Sequence, residues 1–245
     1  MLMIDGKTIA AVIVAGGKGL RMGGETPKQY LIIASDIVLA HTLAAFNDSQ
    51  VDAIVVVCPP GDEDYVKQNV IRDRFPKVKQ IVGGGEKRFD SSYVGIKAAC
   101  ELFDQTPDYV MIHDGVRPLV TPVMINSVGR ALISHPAVCL GVRAKETMRQ
   151  VGPDEIAVSV PDRDSLRVIQ TPQGFETKLI LEAYERFFAD AKEDPARTHG
   201  VTDDAMLAER YMQQPVFVAE GSYENIKITT PEDLFLAEAI FSRRN

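Results

Sequence analysis

Short apolar segments rich in β-branched residues alternate with helical segments along most of this 245-residue chain. Five segments have the composition and length of buried strands: residues 8–14, 53–57, 78–82, 109–112 and 138–142. The alternation predicts an α/β fold, with a mostly parallel, doubly wound sheet and helices on both of its faces. In such sheets, ligands bind beyond the carboxyl ends of the strands.

Helical periodicity and capping residues predict the elements that connect these strands. Helices are expected at residues 38–46, 62–69, 91–102, 121–134, 179–188, 205–212 and 232–242. Asp90 is the expected cap of the third of these helices. Two further strands are expected at 216–219 and 226–228, whereas residues 191–200 contain a proline and are predicted to form a loop.

A glycine-rich stretch directly follows the first predicted strand. Residues 15–24 read Ala-Gly-Gly-Lys-Gly-Leu-Arg-Met-Gly-Gly, and residues 27–30 read Pro-Lys-Gln-Tyr. Glycines let backbone N–H groups approach an anion closely, and Lys18, Arg21 and Lys28 supply positive charge. This pattern is typical of a phosphate-binding loop, although an ordinary Gly-rich surface loop is the alternative.

Two common phosphate-binding motifs do not fit this loop. The P-loop spacing Gly-x-x-x-x-Gly-Lys-Ser/Thr is absent, and Met22 stands where a dinucleotide fingerprint requires its third glycine. The sequence also has no Gly-x-Ser-x-Gly elbow and no His-Glu-x-x-His motif. Glycines, cations and a well-placed carboxylate suit phosphoryl or nucleotidyl transfer, in which positioning and charge neutralisation provide most of the catalysis.

Composition limits the partners of the chain. The formal net charge of −7 argues against general nucleic-acid binding, and no segment approaches the roughly 20 apolar residues of a membrane span. Residues 1–7 have no apolar signal-peptide core. Cys58, Cys100 and Cys139 are far apart and lack metal-site spacing, so no metal site is predicted. These features predict a reduced, cytoplasmic protein.

Three polar groups stand out at or near predicted strands. Asp114 follows an apolar strand and could orient a substrate or simply pair with Arg117. Glycines at 83–85, followed by Ser91, form either a second nucleotide-contacting loop or a helix-capping turn. Lys227 lies in an otherwise apolar predicted strand, where it either meets an anion or protects a sheet edge.

A β-hairpin without a covering helix is predicted between residues 148 and 160. Its strands, 148–151 and 156–160, are joined by a Gly-Pro-Asp turn. Such a hairpin exposes apolar residues, including Ile156 and Val158, unless something packs on it. It is therefore either an ordinary edge hairpin or a dimerisation arm.

Taken together, the motifs resemble the bacterial cytidylyltransferases that make CDP-linked polyols, above all the 2-C-methyl-D-erythritol 4-phosphate cytidylyltransferase family. The matching residues run along the whole chain: Ala15-Gly16-Gly17-x-Gly19-x-Arg21-Met22, Pro27-Lys28-Gln29-Tyr30, Gly84-Gly85, Arg88, Asp90-Ser91, His113-Asp114-x-x-Arg117-Pro118, Thr147, Asp162-Arg163, Gln170-Thr171-Pro172-Gln173, Thr202-Asp203-Asp204-Ala205, Asn225-Ile226-Lys227-Ile228-Thr229 and Pro231-Glu232-Asp233-Leu234.

This resemblance implies a single domain over residues 1–245 with a Rossmann-like nucleotidyltransferase fold. It also implies a projecting β-arm at about residues 144–161 that interlocks two subunits of a homodimer. The implied reaction is attack by the phosphate of a polyol phosphate on the α-phosphorus of CTP, with release of pyrophosphate. Mg²⁺ would be bound mainly by the CTP triphosphate.

The resemblance also implies roles for individual residues. Arg21 and Lys28 would stabilise the charged transition state, and Lys227 would steer the attacking phosphate. Contacts to CTP would come from Ala15, Gly16, Gly17, Gly85, Ser91 and Gly115. The acceptor would be held by Asp114, Arg117, Thr147 and Arg163. Of these four, Thr147 and Arg163 would reach the site of the neighbouring subunit.

Departures from the family pattern leave the identity of the alcohol open. Glu146 replaces the usual aspartate before Thr147, and Arg167 replaces a tryptophan. The Ala-Gly-Gly-Lys-Gly segment is closer to ribitol-5-phosphate cytidylyltransferases, whereas Thr202-Asp203-Asp204-Ala205 with Glu209 is closer to the methylerythritol enzymes. The expected acceptor is 2-C-methyl-D-erythritol 4-phosphate, and a ribitol-5-phosphate or other polyol-phosphate enzyme is the alternative. A non-catalytic nucleotide-binding protein and a Rossmann oxidoreductase are further alternatives from other functional classes.

Overall fold

The computed structural model of the chain describes residues 4–17 and 26–244. Its strands are β1 (Ile9–Val14), β2 (Ile32–Ile33), β3 (Asp36–Ile37), β4 (Ala53–Cys58), β5 (Val78–Gly83), β6 (Tyr109–Asp114), β7 (Ala137–Arg143), β8 (Gln150–Val151), β9 (Ala157–Ser159), β10 (Arg167–Glu176) and β11 (Phe217–Glu220). Its helices are α1 (Val38–Asn47), α2 (Glu63–Tyr65, continued by a π-helical segment, Val66–Ile71), α3 (Arg88–Glu101), α4 (Pro122–Leu132), α5 (Thr177–Glu193), α6 (Asp204–Met212) and α7 (Pro231–Arg244).

Seven strands form the central sheet in the order β11-β7-β10-β6-β1-β4-β5. The pairs β1–β4, β1–β6, β4–β5 and β7–β11 are parallel. Strand β10 runs antiparallel to both of its neighbours, β6 and β7. The predicted α/β fold with a mostly parallel sheet is therefore confirmed.

Alternate residues of β1 face two separate layers of the core. Ile9 and Ile13 belong to a cluster that includes apolar residues of α1 and α4. Ala10 and Val12 belong to a second cluster, which includes residues of α3, α5 and α6. Because successive side chains of a strand point to opposite faces, this division shows that helices cover both faces of the sheet, as predicted.

A third, smaller cluster lies beside the carboxyl end of β6. Val116 and Leu119 pack there with Ile228 and with Ala237 of α7. This packing holds the segment around residues 226–228 against the loop that follows β6. No described helix is long and apolar enough to cross a membrane.

The predicted hairpin is present as a two-stranded sheet of its own, formed by β8 and β9. Its turn is closed by a hydrogen bond from the Gly152 N–H to the Ile156 carbonyl, at 2.9 Å. Ile156 and Val158 are 64% and 63% exposed. We call residues 144–161 the arm.

Three sequence predictions require correction, and one strand was not predicted. Residues 226–228 lie in a loop and not in a strand, and the unpredicted strand is β10. Helix α3 begins at Arg88, so Asp90 lies in its first turn, where it accepts a hydrogen bond from the Lys87 N–H at 2.8 Å. Helix α5 continues to Glu193, and a 3₁₀ turn follows at Pro195–Thr198 within the predicted loop.

Candidate active site

A cavity of about 860 Å³ opens at the carboxyl ends of β1, β4, β5 and β6. This is the edge at which a doubly wound sheet binds its ligands. The cavity is lined by Val14, Ala15, Gly16, Gly17, Lys28, Pro59, Pro60, Gly84, Gly85, Glu86, Lys87, Arg88, Ser91, Asp114, Val116 and Lys227. Among these described residues, the cationic side chains outnumber the carboxylates, so the lining favours an anionic ligand.

The loop after β5 packs closely against the first turn of α3. A Cβ atom on Gly84 would lie 2.6 Å from Ser91 Oγ, and one on Gly85 would lie 2.3 Å from Asp90 Cβ. Ser91 Oγ accepts a hydrogen bond from the Gly85 N–H at 3.2 Å. Glycines are therefore required at 84 and 85 because any side chain would collide with α3.

Asp114 is the buried carboxylate of the cavity. Its oxygens lie 3.0 Å from Lys227 Nζ, 3.4 Å from Arg117 Nε and 3.5 Å from Arg88 Nε. Burial would raise the pKa of Asp114, but these three cations outweigh that effect and hold its pKa below the usual range. Asp114 is therefore ionised and gathers three cations from separate segments.

Arg88 also forms an ion pair with a second buried carboxylate. Asp204, in the first turn of α6, is fully buried and lies 2.5 Å from Arg88 Nη2. The Tyr184 hydroxyl of α5 donates a hydrogen bond to the other oxygen of Asp204. Burial would lower the pKa of Arg88, but Asp204 and Asp114 outweigh this effect and raise it. The guanidinium is therefore charged and bridges the two carboxylates.

Polar side chains on β10 and in the loop before α7 fix the end of β6. The Asp114 N–H donates to Thr171 Oγ1 at 3.2 Å. Asn225 Nδ2 donates to the Thr171 carbonyl at 2.9 Å, and Arg117 Nη1 donates to the Asn225 carbonyl at 2.8 Å. Asp114 and Arg117 are thus held by one connected set of buried hydrogen bonds, which restricts their movement.

Gln173 connects the same strand to α6. Its side-chain oxygen accepts a hydrogen bond from the Ala205 N–H at 2.9 Å, and its Nε2 donates to Asp203 at 2.7 Å. Asp203 also caps α6 by accepting from the Met206 N–H at 3.0 Å. These bonds hold the first turn of α6 in place, so that Asp204 lies next to Arg88.

His113 is a packed histidine and does not face the cavity. Its ring is fully buried against Phe46, with centroids 4.9 Å apart, and its Nδ1 lies 3.0 Å from Thr171 Oγ1. Burial is the main cause that lowers the pKa of His113 to about 3. The imidazole is therefore neutral at physiological pH.

Most of the predicted site residues that the structure describes line the one cavity: Ala15, Gly16, Gly17, Lys28, Gly85, Ser91, Asp114 and Lys227. Lys28 Nζ donates to the Ile228 carbonyl at 3.0 Å, which joins the first loop to the segment that carries Lys227. Gly115 is buried instead: a Cβ there would lie 3.0 Å from both Ala15 and Leu39. Arg21 and Lys18 lie outside the described residues.

The remaining predicted residues lie toward the arm. Thr147 and Arg163 are exposed and do not line the cavity, and Arg163 Nη1 lies 3.5 Å from the Lys145 carbonyl. A second cavity of about 510 Å³ adjoins the base of the arm and shares Arg117 and Lys227 with the site around Asp114. Within one chain, the arm residues are thus separate from the first cavity.

Sequence reasoning assigned no role to several residues that build the site: Arg88, Thr171, Gln173, Asp204 and Asn225. All five lie in the matching motifs, and four are buried polar residues. Their place in these motifs was the available signal, and no local pattern shows which polar side chains become buried and must find partners. Their partners are distant in sequence, which is why their roles emerge only from the fold.

Comparison with known proteins matches the chain to one family. The model of the IspD family, described as 2-C-methyl-D-erythritol 4-phosphate cytidylyltransferase, matches residues 9–243. A protein of that name from Pelotomaculum thermopropionicum is 41% identical over 240 residues, covering 96% of this chain and 95% of the relative. Another, from Desulforamulus reducens, is 40% identical over 241 residues and covers 97% of each chain.

A solved structure has the same fold over nearly its whole length. The crystal structure of 4-diphosphocytidyl-2C-methyl-D-erythritol synthase from Anaerococcus prevotii superposes with a TM-score of 0.84 and 34% identity, covering 99% of this chain and 100% of that one. The family match extends over both glycine loops, the arm and the segment that carries Lys227. The chain therefore belongs to the 2-C-methyl-D-erythritol 4-phosphate cytidylyltransferase family.

Proposed function

We propose that this chain transfers CMP from CTP to 2-C-methyl-D-erythritol 4-phosphate and releases pyrophosphate. The observation that carries the proposal is a cationic cavity, built around the ionised Asp114, in a member of this family. An oxygen of the acceptor phosphate attacks the α-phosphorus of CTP. The bond from that phosphorus to the bridging oxygen then breaks, and pyrophosphate leaves with the electron pair. No side-chain nucleophile takes part.

Cationic side chains supply the catalysis in this proposal. Lys28 and Arg21 neutralise the charge that builds on the reacting phosphates, and Lys227 steers the attacking phosphate toward the nucleotide. The hydrogen bond from Lys28 to the Ile228 carbonyl supports this assignment, because it keeps the two lysine-bearing segments adjacent. Fixed charges of this kind stabilise a transition state at little reorganisation cost.

The other predicted residues are divided between the two substrates. CTP contacts the backbone around Ala15, Gly16, Gly17, Gly85, Gly115 and the Ser91 hydroxyl. The acceptor is held by Asp114, Arg117, Thr147 and Arg163. The exposed position of Thr147 and Arg163 in one chain supports a role across a subunit interface.

The arm supports a homodimer of single-domain subunits spanning residues 1–245. Ile156, Val158 and Val160 are each more than half exposed, which would be unfavourable in an isolated arm. We propose that a second copy of the chain packs on these apolar side chains. Sedimentation of the 26.9 kDa chain tests this, because a monomer at micromolar concentration would contradict it.

A divalent metal fits the site only together with the nucleotide. The described residues contain no group of three or more acidic, histidine or cysteine side chains suited to a metal, and Asp114 is already paired with three cations. Mg²⁺ binds readily to substrate phosphates with few protein ligands. We therefore assign it to the CTP triphosphate, where it supplies charge neutralisation.

A cytoplasmic location completes the proposal. The three cysteines, Cys58, Cys100 and Cys139, are all free thiols. Free thiols are usual in a reducing compartment, whereas secreted proteins commonly pair their cysteines. Locating the tagged protein by cell fractionation tests this part of the proposal.

The function is tested by pyrophosphate release. The protein is incubated with CTP, Mg²⁺ and either 2-C-methyl-D-erythritol 4-phosphate or ribitol 5-phosphate, with a no-acceptor reaction as the blank. We expect rapid release with the methylerythritol substrate. Preferential release with ribitol 5-phosphate would identify the alternative polyol enzyme, and no release with either acceptor would overturn the assignment as a cytidylyltransferase.

A further inference from the structure

Lys227 lies in a loop, where no sheet ladder fixes the backbone. Its Nζ lies 3.0 Å from an oxygen of Asp114, and its side chain is 37% exposed. After the lysine, the loop is held by Ile228, which is fully buried and whose N–H donates to the Val116 carbonyl at 2.9 Å. Before the lysine, the first fully buried residue is Asn225. The position of Lys227 therefore depends on what holds Asn225.

The side-chain amide of Asn225 is bound to two acceptors on β10. Nδ2 donates to the Thr171 carbonyl at 2.9 Å and to Gln170 Oε1 at 3.4 Å. The orientation of Gln170 is itself fixed, because its Nε2 donates to the Ser222 carbonyl at 2.8 Å and its Oε1 accepts from the Ser222 N–H at 3.3 Å. Since both neighbours of Nδ2 are acceptors, position 225 needs a side chain with two donor hydrogens, which asparagine supplies.

The main chain of Asn225 contacts a second cation of the site. Its carbonyl accepts from Arg117 Nη1 at 2.8 Å, and Arg117 Nε lies 3.4 Å from an oxygen of Asp114. Asn225 is therefore connected to Asp114 through Arg117 and also through Lys227, two residues further along the chain. A misplacement of about 1 Å at a reacting group can cost about 100-fold in rate, so an anchor at this position affects catalysis without touching a substrate.

We propose that Asn225 is a positioning residue, which anchors the loop to β10 and thereby holds the Lys227 ammonium beside Asp114, where it meets the attacking phosphate. Asn225 acts through the lysine, since its own side chain is fully buried and both of its amide hydrogens are used within the chain. The inference deepens the proposed function and rests on it, because the role of Lys227 belongs to that proposal.

Asn225→Ala removes both hydrogen bonds to β10 and is the first test. At saturating CTP and acceptor, kcat should fall by about 10-fold or more, because the lysine is no longer held in place. The thermal shift produced by CTP alone should be retained, since the loops proposed to contact CTP belong to other segments of the chain. Rates are measured well below the unfolding temperature of each variant, so that loss of folded protein does not contribute.

A double-mutant cycle with Lys227→Ala separates positioning from a merely structural role. If Asn225 acts through the lysine, adding Asn225→Ala to Lys227→Ala should change kcat by less than about 2-fold, because no lysine remains to be positioned. A general structural defect would lower kcat by the same factor with and without the lysine. Such additive losses would overturn the inference.

Asn126→Ala is the matched control, because Asn126 on α4 also binds a distant backbone group, the Gln50 N–H at 2.8 Å, but does not line the main cavity. It should leave kcat unchanged. Asn225→Ser retains one donor and should show a smaller fall, and it replaces the alanine variant in the cycle if that variant does not fold. Unchanged kcat in a folded Asn225 variant would overturn the inference. Absence of turnover by the unmodified protein would instead overturn the proposed function.

Discussion

Asp114 shows how a single residue organises the cavity. It brings Arg88, Arg117 and Lys227 within 3.5 Å of its oxygens. The cations come from α3, from the loop after β6 and from the loop before α7. Arg88 is also paired with Asp204, so the three cations face two carboxylates. The group therefore retains a net positive charge, which attracts phosphate oxygens.

The lysines beside this cluster give a prediction at the same scale. Lys28→Ala and Lys227→Ala should each lower kcat by on the order of 100-fold, because each removes a charge proposed to act in the transition state. Initial rates at saturating CTP and acceptor measure this effect. Lys97→Ala, at an exposed position of α3, is the control. Normal kcat in either variant would remove that lysine from the mechanism.

The arm gives a prediction at the scale of an element. Arg163 follows the arm and lies 3.5 Å from the Lys145 carbonyl at its base. Arg163→Ala should raise the KM of the acceptor by about 10-fold or more, since a charged contact to its phosphate would be lost. The KM of CTP should stay close to its original value. Arg149→Ala, within the arm, is the matched control, and equal KM values in Arg163→Ala would contradict the assignment.

The elements also show what sequence patterns can and cannot predict. The parallel strands were predictable because β1, β4 and β6 are buried on both faces and nearly continuously apolar. Strand β10 was missed because Gln170, Thr171, Pro172 and Gln173 form its middle, and proline and polar residues argue against a central strand. Its pairing with β7 shifts register between Gln170 and Gln173, which accommodates this segment.

The site was predictable to a similar extent. The glycine loops, Asp114 and Lys227 could be chosen because they stand next to strands and combine anion-binding groups. The segment around Lys227 was wrongly predicted as a strand, because Ile226 and Ile228 flank the lysine with the alternation of a strand. In the structure, Ile228 packs in the small cluster that includes residues of α7. Tertiary packing, which no local pattern encodes, decided this segment.

At the scale of the whole molecule, stability should depend on pH through His113. Its pKa in the folded chain is lowered to about 3 by burial, whereas an unfolded chain titrates near 6.5. Between these values the unfolded chain binds more protons, so the free energy of unfolding falls as pH falls from about 6.5. The loss at pH 5 should be about 2 kcal/mol. Asp114, whose pKa is also lowered, adds a loss of the same sign below about pH 4.

Urea unfolding at pH 7.5 and pH 5 measures this dependence. His113→Gln should show a smaller difference between the two pH values, even if its stability at pH 7.5 is lower, because the titrating group is gone. An undiminished difference in the variant would assign the acid sensitivity to other groups.

Strand β10 connects the arm directly to the centre of the sheet. From the base of the arm it passes between β6 and β7, and it carries Thr171 and Gln173 past the end of β6. The arm is therefore not an interchangeable module. A chimera that takes residues 137–176 from another family member also imports the side chains that hold Asp114 and α6. The boundary between imported and original residues therefore lies within the active site. Such a chimera also needs residues at 203 and 225 that are compatible with the imported strand.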